Sequence, residues 1–213
     1  MAIENRLKIR TRKNDLILRV SKGHFATAQS HTNYYIDIAT QKSCLGEAKA
    51  VAEALYTFYH ANTIVNAILC LDGTEVIGTC LADALTRENF VSLNSQQTIY
   101  ILTPEFTATR QLLFRDNTAP MIVGKNVLVL AASVRSGQTA KAAIDAIRYY
   151  GGTVAGIAAI FSTIHSCEDV PVHSVFDPGD LPDYVSCPSH NCPLCQKGEK
   201  LDALINNYGF SSL

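Results

Sequence analysis

What constrains this chain most is an apolar run that breaks into a turn of small residues and resumes at once with helical spacing. Residues 126–142 read Asn-Val-Leu-Val-Leu-Ala-Ala-Ser-Val-Arg-Ser-Gly-Gln-Thr-Ala-Lys-Ala. The nearly continuous apolar stretch over 126–130 is the pattern of a strand covered on both faces. Ile144, Ile147 and Tyr150 then mark one helical stripe, which Gly151-Gly152 stops. A strand that feeds a helix through such a turn aims backbone N–H groups and the helix N-terminus at one point. That geometry cradles a phosphate. An ordinary strand-to-helix turn, with Ser or Thr capping the helix, has the same residues, so the turn alone leaves both readings open.

The rest of the chain repeats the rhythm. Residues 45–60 carry Ala48, Val51, Ala52, Leu55, Phe58 and Tyr59 at helical spacing. Residues 64–71 read as a strand, 76–85 as a helix, 98–102 as a strand, 153–161 as a buried strand and 172–176 as the last one. Upstream, Leu16, Ile17, Leu18 and Val20 read as a short helix leading into an irregular entry segment, with a weak edge strand over 34–38. Alternating strands and helices predict an α/β fold with a mainly parallel sheet flanked by helices. Ligands of such sheets bind at the carboxyl ends of the strands. This places residues 72–75, 103–110 and 131–139 around one crevice.

Composition narrows the function. Eighteen Lys and Arg against nineteen Asp and Glu leave a net charge of -1, so no nucleic-acid footprint or membrane-binding basic patch is expected. Charged residues are only 17% of the chain, a lean surface consistent with cover by a second subunit. With no signal-peptide core and no apolar stretch long enough for a bilayer, a cytoplasmic protein is expected. Seven cysteines are then read as reduced thiols, Cys70 and Cys80 as small buried hydrophobes. Cys187, His190, Cys192 and Cys195 are the densest cluster of metal-ligating types. Cys192-x-x-Cys195 has zinc-ligand spacing, but all four fall within nine residues with no distant second pair. Structural thiols are put ahead of zinc.

Several segments in their proper order resemble orotate phosphoribosyltransferase and the type I phosphoribosyltransferases. Gly23-His24-Phe25 followed by His31-Thr32-Asn33-Tyr34-Tyr35-Ile36-Asp37 is similar to that family's entry motif. Residues 127–137 align with its strand and loop for phosphoribosyl pyrophosphate, and residues 149–156 with the helix end and strand that follow. Leu181-Pro182 with Cys192-Pro193-Leu194-Cys195-Gln196-Lys197-Gly198 resembles the tail of one branch. The resemblance implies an N-terminal hood over 1–40, an α/β core over 41–180 and a cysteine-containing tail over 181–213. It also implies a homodimer, magnesium if the protein is catalytic, and a phosphoribosyl or nucleotide ligand.

The departures from that pattern bear on chemistry. Ala131-Ala132 stand where the family has two acidic residues that hold ribose hydroxyls. Arg135, Ser136, Gly137, Gln138 and Thr139 keep the hydroxyls and glycine that suit a sugar 5′-phosphate. In the loop that should carry catalytic cations, Arg110 and Arg115 are the only candidates before Lys125. At the pyrophosphate-loop position, Asp72, Gly73, Thr74 and Glu75 bring two carboxylates that repel a tetra-anion unless a divalent ion intervenes. Their role as helix N-terminal carboxylates is put ahead of magnesium ligation. His24 and His31 are read as structural ahead of contacts with a ligand or a partner subunit. The expectation is a protein that binds a 5′-phosphorylated ribose, with transfer chemistry doubtful. The alternatives are an active orotate or pyrimidine phosphoribosyltransferase and a non-catalytic regulatory nucleotide-binding protein.

Overall fold

The computed structural model describes residues 6–10, 16–28, 30–88, 90–109, 111–206 and 208–213. The chain divides into two compact units, one formed by residues 41–175 and the other by 1–40 together with 176–213. Strands and helices are numbered along the chain.

The larger unit is built on a sheet in which β4 (Ala67–Cys70), β5 (Tyr100–Leu102), β8 (Asn126–Val134) and β9 (Thr153–Ser162) run parallel in the order β9-β8-β4-β5. The strands β11 (Val170–Phe176) and β10 (Ser166–Cys167) extend it beyond β9. The unit also holds most of α1 (Ala39–Ser43), with α2 (Leu45–Tyr59), α3 (Glu75–Thr86) and α4 (Gln138–Tyr149), and a small hairpin of β6 (Glu105–Phe106) and β7 (Leu112–Leu113).

Period two explains why β8 is apolar throughout. Val127, Val129 and Ala131 pack on one face with Ala140, Ala143, Ile144 and Ile147 of α4. On the other face Leu130 meets α3 together with Ile68 and Cys70, at Gly78, where a Cβ would lie 2.5 Å from the Cys70 thiol. With helices on both faces, every β8 residue except Asn126 and Ser133 is buried. At the far end of α4, Gly151 takes φ +76° and the N–H of Gly152 donates to the Ile147 carbonyl while that of Gly151 donates to Arg148. That is a Schellman closure, and glycine supplies its left-handed residue.

In the second unit β2 (Ile17–Ala26) lies at the centre of a sheet ordered β12-β3-β2-β13-β14, with β1 (Arg6–Arg10) also paired to β2. The strands β3 (His31–Asp37) and β12 (Ser186–Cys187) are antiparallel neighbours. The strand β13 (Ala203–Asn206) runs parallel to β2 and turns back through β14 (Gly209–Ser212). Phe25, Tyr35, Ala203 and Ile205 form its small core.

Two sequence expectations are corrected. Residues 17–26 are one strand, not a short helix and an irregular entry segment: Leu18 and Val20 are buried while Ile17 and Arg19 are only partly covered, the alternation of a paired strand. The regular structure does not end at 176, because β12, β13 and β14 follow, all too short for their periodicity to stand out. Residues 1–5 and 11–15, part of the expected N-terminal segment, lie outside the described residues.

Candidate functional site

The crevice loops are brought to one edge of the parallel sheet, because β5, β4 and β8 are adjacent and their chain direction is shared. One position changes meaning. Ala131 and Ala132 are not in a loop: β8 continues to Val134, and the two alanines are 3% and 0% exposed inside it.

The turn itself runs from Arg135 to Gly137, and α4 begins at Gln138. Gly137 occupies the N-cap with φ +75°, so it offers no side chain to the helix start and leaves that end to an external acceptor. It is also packed from behind, since a Cβ there would lie 3.2 Å from both Cys167 Sγ and Ile164 Cδ1. Thr163 holds the turn by donating through Oγ1 to the Arg135 carbonyl at 2.9 Å. The Arg135 Nε is a buried donor with no acceptor among the described residues. A buried, unpaired guanidinium N–H is costly unless an anion takes it up. Ser136, Gln138 and Thr139 are exposed beside it. One turn further, the Lys141 ammonium is already committed to Glu168 at 2.8 Å.

At the end of β4 the backbone is strained. Asp72 has φ +59° and Gly73 φ +78°, two consecutive left-handed residues of which only the second suits that region. Lys42 donates its ammonium to the Asp72 carbonyl at 2.8 Å. Burial pushes the Lys42 pKa down, while the carboxylates of Asp72 and Glu75 partly restore it. Thr74 is the N-cap of α3, but its hydroxyl goes to the carbonyls of Leu71 at 2.8 Å and Leu130 at 3.1 Å.

Arg115 reaches across the β6–β7 hairpin to Glu105, with Nε to Oε1 at 3.0 Å and Nη2 to Oε2 at 2.6 Å. This bidentate pair lowers the Glu105 pKa and raises that of Arg115, mainly through the hydrogen bonds themselves. Arg110 lies outside the described residues.

Magnesium needs oxygen ligands. The buried methyl groups of Ala131 and Ala132 supply none, and the two carboxylates of the β4 loop already face the Lys42 ammonium. These residues do not fit a magnesium site.

In the smaller unit the structure assembles a different group. Cys192 is the N-cap of the one-turn helix α5 (Pro193–Gln196) and Cys195 lies within it, and with His24 and His31 they bring four ligand atoms within 4.8 Å of one another. His24 Nε2 is 3.1 Å from His31 Nδ1, 3.4 Å from Cys192 Sγ and 3.6 Å from Cys195 Sγ. Cys195 Sγ is 3.2 Å from His31 Nδ1. Such a set can bind a metal. Burial raises the Cys192 thiol, but the N–H groups of Cys195 and Leu194, with His31 and the Cys195 thiol, outweigh it and hold the pKa at about 6. Burial and the neighbouring Cys192 push Cys187 and Cys195 upward.

The cluster thus draws its second pair from β2 and β3, 161 residues or more away in the chain. Cys187 sits beside it on β12, opposite His31, whereas His190 is exposed in a short helical turn and is not part of the four. A hairpin signal was available. His31 pairs directly with Ala26, so His24, two residues earlier on β2, is its diagonal neighbour on the same face.

No protein-family model and no curated protein matches the sequence. Solved structures do match. Mycobacterium tuberculosis H37Rv orotate phosphoribosyltransferase in complex with Fe(III) dicitrate is 17% identical, with a TM-score of 0.54 over 78% of this chain and 93% of that one. A phosphoribosyltransferase from Corynebacterium diphtheriae is 20% identical, with a TM-score of 0.53 over 76% and 90%. Adenine phosphoribosyltransferase from Thermoanaerobacter pseudethanolicus is 14% identical, with a TM-score of 0.51 over 68% and 88%. Orotate and adenine enzymes alike share this architecture, so it does not select a base. The fold of this chain is that of the type I phosphoribosyltransferases.

Proposed function

We propose that this protein binds a 5′-phosphorylated ribose ligand, a nucleotide or phosphoribosyl pyrophosphate, at the turn between β8 and α4, without transferring the phosphoribosyl group. The observation that carries the reading is the pairing of a left-handed Gly137 at the helix start with the buried Nε of Arg135, which has no acceptor among the described residues. The terminal phosphate would take the helix N-terminus and the Arg135 N–H together, with Ser136 and Thr139 hydroxyls at its edge. The ribose hydroxyls find no carboxylate at Ala131 and Ala132, so the sugar is held more weakly than its phosphate.

The test is calorimetric titration with ribose 5-phosphate, uridine 5′-monophosphate and uridine. Both phosphorylated ligands bind and uridine does not. Arg135→Gln weakens the phosphorylated ligands by about tenfold or more, the loss of one charge-assisted hydrogen bond. Equal affinity for uridine and its monophosphate would overturn the proposal. A second reading, transfer by an orotate-type homodimer in the cytoplasm, draws on the strained Asp72-Gly73 loop and the Lys42 cation beside it. Loss of orotate absorbance on mixing with magnesium and phosphoribosyl pyrophosphate would establish it.

A further inference from the structure

We infer that His24, His31, Cys192 and Cys195 form a closed structural zinc site that ties the β2–β3 hairpin to the C-terminal tail. The distances are those of a tetrahedron closing on a central ion. Bonds of about 2.0–2.1 Å to nitrogen and about 2.3 Å to sulfur place ligand atoms of a tetrahedral centre roughly 3.3–3.8 Å apart. The separations of 3.4 and 3.6 Å fall in that range, those of 3.1 and 3.2 Å just below it, and all four ligand atoms lie within 4.8 Å of one another.

Four features select zinc and a structural role. Two imidazoles with two thiols and no carboxylate are a nitrogen and sulfur set, which excludes magnesium and calcium. The His24 ring has its other nitrogen, Nδ1, 2.9 Å from the Glu199 carbonyl. Donation there fixes the tautomer that leaves Nε2 as a lone pair facing the cluster, as the outer hydrogen bond of a metal-bound histidine does. Cys192 heads a Cys-Pro-Leu-Cys turn whose Leu194 and Cys195 N–H groups point at its sulfur, and Gly198 at φ +76° lets the chain leave the turn. Finally, two thiolates balance a dication, and His24 and Cys192 are each only 2% exposed. All four positions come from the protein, so none is open for a substrate. The Cys187 thiol lies alongside, hydrogen-bonded to Cys192, and is assigned outside the coordination sphere.

The experiment uses the full chain, expressed without a histidine tag and purified without chelator. Elemental analysis is expected to give about one zinc per chain. Cobalt(II) substituted into wild-type protein should show the intense visible bands of a tetrahedral site together with thiolate charge transfer, a readout that needs no variant to fold. His24→Ala and Cys192→Ala lose at least nine-tenths of the zinc, whereas Cys187→Ala retains it. Zinc far below stoichiometric, an octahedral cobalt spectrum, or a Cys192–Cys195 disulfide in non-reduced peptide maps would each overturn the assignment. So would loss of zinc in Cys187→Ala with retention in His31→Ala.

Discussion

Gly137→Ala isolates the contribution of the candidate phosphate turn, and Gly124→Ala provides its control. Both glycines belong to the larger unit and both are left-handed, at φ +75° and +66°. Placing alanine in that region costs about 1–2 kcal/mol. Restricting the unfolded chain returns about 0.4–1 kcal/mol. At Gly124 nothing lies within 4 Å of the added Cβ, so the net loss should be about 0.5–1 kcal/mol. At Gly137 the methyl meets Ile164 Cδ1 and Cys167 Sγ at 3.2 Å and needs both to give way. That overpacking adds about 1 kcal/mol, for a total of about 2 kcal/mol. Thermal midpoints should fall by about 4–8 °C for Gly137→Ala and by about 1–4 °C for Gly124→Ala. Urea denaturation of both variants, beside phosphate titration of each folded protein, reads the two quantities separately. Only Gly137→Ala should also lose phosphate affinity, because it alone displaces the turn. Equal stabilities, or an undiminished phosphate isotherm for Gly137→Ala, would refute the packing of the turn and its role as a nest.

Two other substitutions in the same unit test its interior. Tyr59 donates its buried hydroxyl to the Ile157 carbonyl at 2.9 Å, and burial pushes its pKa well above the ordinary value. Tyr59→Phe should therefore cost about 1–2 kcal/mol in chemical denaturation, by leaving that carbonyl unpaired. His173 stacks on Phe58 at 4.7 Å, and desolvation lowers its pKa. As pH falls through the histidine range the unfolded chain takes up the proton first, so this contribution to stability is present above that range and lost below it. Urea midpoints at pH 8 and pH 5 should drop less between the two conditions for His173→Gln than for the wild type. An equal drop would remove His173 as a source of acid sensitivity.

Long elements with one clear period were legible in the sequence. The stripe from Ala48 to Tyr59 is the buried face of α2, and the glycine pair at 151 and 152 closes α4 as its position implied. The parallel sheet follows from β4, β8 and β9, whose apolar runs are covered on both faces. The start of β2 was not legible. Leu16, Ile17, Leu18 and Val20 suit a helix turn as well as a strand, and only pairing with β1 and β3 decides. The span of β8 was underestimated because alanine and serine are weak strand formers, and flanking helices rather than propensity keep 131–134 extended. The metal-ligand set was half visible. Spacing finds Cys192 and Cys195, but contiguity then directs attention to His190. The histidines that close the group come from a hairpin far upstream, and strand register places them there.

The parallel pairing of β13 with β2 sets an order of events during synthesis. Residues 17–21 of β2 can pair with β1 at once, but Ala203 and Leu204, the β13 partners of Phe25 and Ala26, are translated after the whole of 41–175. Until then β2 is open at Phe25 and Ala26, where another nascent chain can pair. The larger unit can complete its sheet while this one waits, so expression yield should be sensitive to chaperone supply and to lesions in β13 and β14.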